Sequence, residues 1–317
     1  MLNRTLFAVA LALSLAAHAQ EYPSRPVKVV VPFPAGGASD VLARIVAEKL
    51  QVKWGQPFLV ENRSGAAGNI GAESVFRAEP DGYTLLSAPP PPLVINKRLY
   101  AKLAYDSDAF VPVTLIAVVP NVLMVHPKVG VNSVQELIAF AKANPDRLNY
   151  ASQGSGGTAH LTAEMLKSMA GIKIVHVPYK GTAPALTDLL AGQVQMMFEN
   201  LASSLPHIRA GKVKALAVGG EKRSPFLPDV PAMSEVLPGF VSVTWFGVVA
   251  PPRTPPDISS RLSGAIAEVL RLPDVAKKLA EMSAEPGGIT PAEMGAFMRR
   301  EADLWGGVIR FAGVKVD

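Results

Sequence analysis

Short apolar runs alternate with amphipathic helical patterns along most of this chain, and that alternation decides its fold class. The run VKVVV, Val27 to Val31, precedes a helical pattern from Asp40 to Gln51 with Val41, Leu42, Ile45, Val46 and Leu50 on one face. FLVEN, a helix from about Asn69 to Ala78, and YTLLSA follow. The alternation resumes with NVLMVH, a helix VQELIAFAKAN, LNYAS, a helix AHLTAEMLKSMA, KIVHVPYK, a helix PALTDLLAGQ, VQMMFEN and VKALAVGG. Strand-length runs feeding helices of period 3.6 predict an α/β fold of two units in series, each a mainly parallel sheet flanked by helices. After SVTWFGVVAP only helices are predicted, from Pro256 to Leu270 and from Pro291 to Gly306. Helices without a sheet of their own must cover one already built. The first domain is therefore expected to be discontinuous, 20–122 and 228–317, with 123–227 as the second.

Residues 1–19 read as a secretory signal peptide: Arg4 in a short basic start, LFAVALALSLAA from Leu6 to Ala17, then small residues at Ala17 and Ala19. The apolar run falls short of the roughly 20 residues that span a membrane, so the mature chain from Gln20 is expected to be soluble and exported. Cysteine is absent, which excludes disulfides and a lipid-anchored cysteine and leaves stability to packing. The net charge of +5, or +4 once Arg4 leaves, comes without the basic stripe and stacking aromatics that nucleic-acid binding requires.

The stretch PFPAGGASD, Pro32 to Asp40, joins the first strand to the first helix. A helix start leaves backbone N–H groups unpaired, and the helix dipole favours an anion there. Gly36 and Gly37 have no Cβ to hold an anion away. The same glycines serve equally as a sharp turn, with Ser39 or Asp40 as a cap, and the loop alone leaves both readings open. The second half repeats the device in QGSGGT, where Ser152, Ser155 and Thr158 add hydroxyl groups ahead of a helix carrying His160. RSGAAGNIG and YKGTAP are two further glycine-rich helix starts. All four follow strands, so they line one cleft if the two sheets face each other.

Neither a phosphate-binding Gly-x-x-x-x-Gly-Lys-Ser/Thr nor a complete dinucleotide fingerprint occurs. There is no Gly-x-Ser-x-Gly elbow, and His126, His160, His176 and His207 lack metal-ligand spacing. No metal, cofactor or catalytic residue is predicted. His160 reads as a histidine packed at a helix start; an exported hydrolase using Ser155 and His160 stays open as the competing enzyme class.

Six segments, YPSRPVKVVVPFPAGGASDVLAR, VENRSGAAGNIGAESV, PDGYTLL, YASQGSGGTAHLTAEML, VPYKGTAPALTDLLAGQVQMMF and LPDVPAMSEVLPGF, follow one another in this order. Together they resemble the Bug family of periplasmic solute-binding proteins, the extracytoplasmic receptors of tripartite tricarboxylate transporters. The resemblance implies a two-domain periplasmic-binding-protein fold of type II, a Venus flytrap, that closes on a carboxylate in the interdomain cleft. It implies a monomeric periplasmic binder that passes its ligand to membrane permease subunits; presentation to a membrane sensor is an alternative using the same cleft. Amino acids, aromatic acids and di- or tricarboxylates all fit such a cleft.

Carried over residue by residue, the resemblance makes Ala35, Gly36 and Gly37 backbone donors from one domain and Ser155 and Thr158 donors from the other. Asn62, Gly68 and Thr182 would line the wall, and Phe33 would cover a ligand face or pack beneath its loop. Asp40, Ser87, Ser152, His160 and Glu199 complete the expected site. Two departures from the family pattern stand out. Four prolines, Pro89 to Pro92, replace a small polar stretch and predict a stiff, donor-free wall, which either favours an apolar ligand body or only rigidifies the loop. Glu199 replaces an aspartate and is expected to be solvated or to cap a helix rather than to meet a ligand amino group.

Overall fold

The structure is a computed structural model of the 317-residue chain, and it describes residues 22–315. The expected signal peptide lies outside the described residues. Among the described residues ten strands form one sheet in the order β2-β1-β3-β9-β4-β7-β5-β6, with β8 and β10 also on β4. In the first lobe β1 (Val27–Val31) pairs in parallel with β2 (Phe58–Asn62) and β3 (Thr84–Ala88). In the second lobe β5 (Asn149–Ser152) pairs in parallel with β6 (Val175–Pro178) and β7 (Met196–Asn200). This is the α/β arrangement the alternation predicts.

The strands joining the lobes run the other way. β4 (Val111–Val125) is antiparallel to β7, to β8 (Lys214–Val218), to β9 (Val243–Ala250) and to the short β10 (Glu285–Pro286). At about 3.3 Å per residue its 15 residues span about 50 Å, enough to traverse both lobes. Val111 to Pro120 pair with β9, whereas Asn121 to Val125 pair with β7. Only the second part, NVLMV, carries an unbroken apolar signal; Pro112 and Pro120 interrupt the first, and the register shifts after Pro112 and Leu115.

Helices fill the faces as their patterns require. α1 (Ala38–Trp54) buries Leu42, Ile45, Val46 and Leu50 against β1 and β3, and Gly55 ends it in the left-handed conformation at φ 68°. α2 (Asn69–Phe76) covers the other side of β1 and β3; a π turn over Pro91–Ile95 runs into α3 (Asn96–Leu99). In the second lobe α4 (Val134–Ala143), α5 (Thr158–Ala170), α6 (Thr182–Ala191) and α7 (Leu201–Arg209) surround the sheet. Of the last three helices, α8 (Pro256–Leu270) and α9 (Pro273–Glu281) cover the first lobe.

α10 (Pro291–Ala312) starts in a capping box of Thr290 and Glu293 and runs past the expected Gly306. It packs on β4 and on α5, so one apolar cluster containing Trp305, Met294, Tyr150 and Phe198 is continuous between the lobes. Within it the buried carboxylate of Glu301 accepts the indole N–H groups of Trp245 (2.8 Å) and Trp305 (3.1 Å).

The lobes meet where Gly219 N donates to Asn121 O (2.6 Å), Ser242 N to Gly219 O (2.7 Å) and Asn121 N to Ser242 O (3.3 Å). Val230 and Ala232 still pack in the second-lobe cluster beside Leu186 and Leu189. We propose that the chain returns to the first domain at Ser242 rather than near residue 228.

A Cβ on Gly219 would lie 2.2 Å from Ser242 O, whereas one on helical Gly264 meets nothing within 4 Å. Gly219→Ala is therefore expected to cost about 3 kcal/mol, and Gly264→Ala to stabilise by about 0.5–1 kcal/mol. Urea unfolding of both variants checks the pair; equal effects would refute the close packing at the crossing.

Candidate ligand-binding site

A cleft of about 590 Å³ opens between the lobes, and the glycine-rich loops form its two sides. Phe33, Pro34, Ala35, Gly37, Ala38 and Ser39 line it from the first lobe; Gln153 to Thr158 and Thr182 line it from the second. None of the lining residues carries a charged side chain.

The two loops are built alike. Gly36 and Gly156 sit at φ 84° and 79°, where a side chain would be strained. Gly37 (φ −78°, ψ 168°) and Gly157 (φ −71°, ψ 164°) then take the N-cap positions of α1 and α5, and neither helix has a side-chain cap. Four residues after each positive-φ glycine an acceptor reaches back to it: Asp40 Oδ2 takes Gly36 N–H at 2.9 Å, and His160 Nδ1 takes Gly156 N–H at 3.0 Å. The chain thus repeats Ala35-Gly36-Gly37-Ala38-Ser39-Asp40 as Ser155-Gly156-Gly157-Thr158-Ala159-His160. An exchange of acceptor type at the last position hides the correspondence from motif matching.

This construction corrects several expected roles. Gly36 N–H is occupied by Asp40 and is not a free donor. Asp40 is buried and fastens the loop: its carboxylate accepts from Gly36, from Arg44 Nε at 3.0 Å and from Asn62 Nδ2 at 3.0 Å. The Arg44 hydrogen bond, against the cost of burial, holds its pKa down at about 2. Asn62 also donates to Phe33 O at 3.0 Å, so it braces the loop from behind rather than lining the wall. Gly68 too lies behind the wall, because a Cβ there would come within 3.2 Å of the Phe33 ring and Pro92 Cγ. Phe33 does reach the cleft.

Ser87 is buried in the first-lobe core, away from the cleft. Ser152 Oγ is 2.6 Å from His176 Nε2 and donates to Gly154 O at 3.1 Å, so it shapes its loop without lining the cleft. His160 lies behind the loop as well, stacked on His176 at 4.0 Å between ring centroids. Of the expected set, Phe33, Ala35, Gly37, Ser155, Thr158 and Thr182 line the cleft.

Glu199 is neither solvated nor in the cleft: it is 1 % exposed. Its carboxylate accepts Thr182 Oγ1–H at 3.1 Å and Asn200 N–H at 2.8 Å, and so positions two cleft-lining residues. Burial pushes its pKa up to about 7.

The four prolines enter a helical turn. Pro90 is helical (φ −50°, ψ −39°) and Pro91 opens the π turn; a proline's fixed φ suits a first helical turn. Pro89 and Pro91 still face the cleft, together with Leu99 and Tyr100, and the prolines supply no N–H there. Sequence reasoning missed Thr244 and Phe246, which form part of the lining from β9. Thr244 Oγ1 lies 3.3 Å from Thr158 Oγ1. The signal available was the alternation in SVTWFGVV, which puts Thr244 and Phe246 on one face, but nothing local aims that face at a loop more than 80 residues away.

Residues 42–314 match the profile of the tripartite tricarboxylate transporter family receptor. The chain belongs to that family. This receptor is 40 % identical to the protein BugT of Bordetella pertussis over 301 residues, covering 94 % of this chain and 92 % of BugT. Among solved structures, the receptor resembles an R. palustris protein determined with adipate at a TM-score of 0.83, with 40 % identity, 93 % of this chain and 99 % of the other. MatC from Rhodopseudomonas palustris, with bound malate, aligns at a TM-score of 0.78 and 33 % identity over 91 % of this chain and 100 % of its own. The chain has the two-domain periplasmic-binding-protein fold.

A raised Glu199 pKa fixes a pH dependence. Between about 4.5 and 7 the folded state keeps a proton that the unfolded state loses, so this residue's contribution to stability is full below about 4.5 and is lost as pH rises through 7. Glu199→Gln should flatten that dependence, removing roughly 3 kcal/mol of pH-linked change. Denaturant unfolding of both proteins at pH 4.5, 6 and 8 measures it; parallel curves would contradict the buried neutral acid.

Proposed function

We propose that this chain captures a small organic carboxylate in the periplasm and delivers it to the permease subunits of a tripartite tricarboxylate-type transporter. The observation that carries the reading is the pair of uncapped helix starts on opposite sides of an uncharged cleft. Each contributes about half a positive charge through its dipole, so the two together match one carboxylate. The free N–H groups of Ala38 and Ser39 and of Thr158 and Ala159, with the hydroxyls of Ser155 and Thr158, supply the hydrogen bonds that a buried carboxylate needs. Relatives solved with adipate and with malate support a carboxylate as the ligand class.

Binding without chemistry fits the site better than hydrolysis. A nucleophilic Ser155 needs a base, and His160 commits Nδ1 to Gly156 N–H while Nε2 faces Glu164 at 3.9 Å. Among the described residues no cluster of three potential metal ligands occurs, and no helix is long and apolar enough to cross a membrane. A monomer exported by residues 1–19 and closing its lobes on the ligand completes the reading. Thermal-shift screening with adipate, malate and aromatic carboxylates, followed by native mass spectrometry, should find a dose-dependent rise in Tm and a ligand recovered unchanged. Turnover of that ligand would overturn the reading.

Gly37 and Gly157 have ordinary φ values, and a Cβ on either meets nothing closer than 3.5 Å. Gly37→Ala and Gly157→Ala should therefore fold with Tm near wild type yet lose about tenfold or more in carboxylate affinity, because the methyl group occupies space the anion needs. Calorimetric titration with the best carboxylate of the screen decides; unchanged affinity in both would refute the clamp.

A further inference from the structure

The two jaws share one construction and differ in the group that holds the positive-φ glycine. Asp40 holds the first-lobe glycine with a carboxylate that ionises far below neutral pH. His160 holds the second-lobe glycine with an imidazole, which does so only while uncharged.

A backbone N–H can only donate, so Nδ1 of His160 is the acceptor and the ring hydrogen sits on Nε2. The only place left for a second proton is Nδ1 itself. A proton there sets two N–H donors against each other and unties Gly156. We propose that His160, with His176 stacked on it, is a positioning residue for the carboxylate clamp and an acid-sensitive latch that loosens the second jaw when protonated. The proposal rests on the carboxylate reading above.

The surroundings make the latch a unit. The His160 and His176 rings lie 4.0 Å apart at 15°, so two charges there would repel; Tyr150 stacks on His176 at 4.8 Å. His176 Nε2 contacts Ser152 Oγ, which also receives Gly154 N–H at 3.3 Å, so both imidazoles reach the same loop. On α5, Glu164 faces Nε2 of His160 but is already engaged by Lys167 Nζ at 2.7 Å and by the Tyr150 hydroxyl at 2.5 Å. From α10, which packs on α5, the buried Glu301 is committed to two indole N–H groups.

Burial pushes both imidazoles below the usual histidine range, His176 to about 4 with His160 adding to the effect. Lowered values mean that the stabilisation is present above the ordinary histidine pKa of about 6.5 and is lost as pH falls through the folded values. A bound anion attracts an imidazolium, but it does so across the loop whose anchor that imidazolium would break.

The test has two arms on the full mature chain. Nitrogen-15 NMR should show the His160 hydrogen on Nε2 and a Gly156 amide whose shift follows His160 titration, with the Gly36 amide unmoved. In His160→Asn, whose side-chain oxygen can accept the same N–H without titrating, the Gly156 amide should be insensitive to pH. A hydrogen on Nδ1, or a Gly156 amide that ignores the titration, overturns the latch whether or not any ligand binds. In the second arm, adipate and malate affinities are measured from pH 7.5 to 5 in wild type and His160→Asn. Comparison of the two proteins at each pH cancels the titration of the ligand. Wild type should lose severalfold more affinity than the variant; equal losses, or tighter wild-type binding at low pH, overturn the latch. If neither acid binds either protein at any pH, the carboxylate reading fails for these probes while the NMR arm still decides the latch.

Discussion

The first N–H groups of an α-helix have no partner inside the helix, and proteins usually give them a Ser, Thr, Asp or Asn cap. In α1 and α5 glycine occupies the cap position and the nearest acceptor points the other way, back to the preceding glycine. Much of the surrounding structure keeps this condition in place. Asp40 with Arg44 and Asn62 braces one loop, and the Tyr150, His160, His176 and Ser152 group braces the other. Because the bracing groups do not line the cleft, they hold the donors without competing for the ligand.

Two helix starts can act on one ligand only if the lobes are kept in register across the cleft. β4 passes through both lobes, and the hydrogen bonds among Asn121, Gly219 and Ser242 join the chain passages at a single point. α10 adds a second connection on the apolar side, with Glu301 held between Trp245 and Trp305. The crossing also brings Thr244 to the hydroxyl of Thr158, so the strand that joins the lobes contributes to the site it aligns.

The parts of this arrangement that were legible in the sequence are those fixed within a dozen residues. Strand, glycine loop and helix succeed one another in PFPAGGASD and QGSGGTAH; that order pointed to Gly37, Ser155 and Thr158, whereas Phe33 and Ala35 were expected from the family resemblance. Which way a side-chain acceptor turns is not decided by that order. Asp40 and His160 have the chemistry of ligand contacts, yet each turns back to the glycine four residues before it, while Asn62 reaches Phe33 and Glu199 reaches Thr182 from further along the chain; that all four end behind the cleft is set by the packing of distant strands. Pro112 and Pro120 masked the first half of β4, and the run from Pro89 to Pro92 gave no sign that the chain turns into a helix there.

In the proposed clamp a single carboxylate is gripped from both lobes by backbone donors. A crystal structure of the protein with the tightest-binding carboxylate tests it most directly. Carboxylate oxygens are expected within hydrogen-bonding reach of the N–H groups that begin α1 and α5, directly or through one water, with the rest of the ligand toward Pro89 and Pro91. A carboxylate held by one lobe alone, or turned toward the prolines, would contradict it.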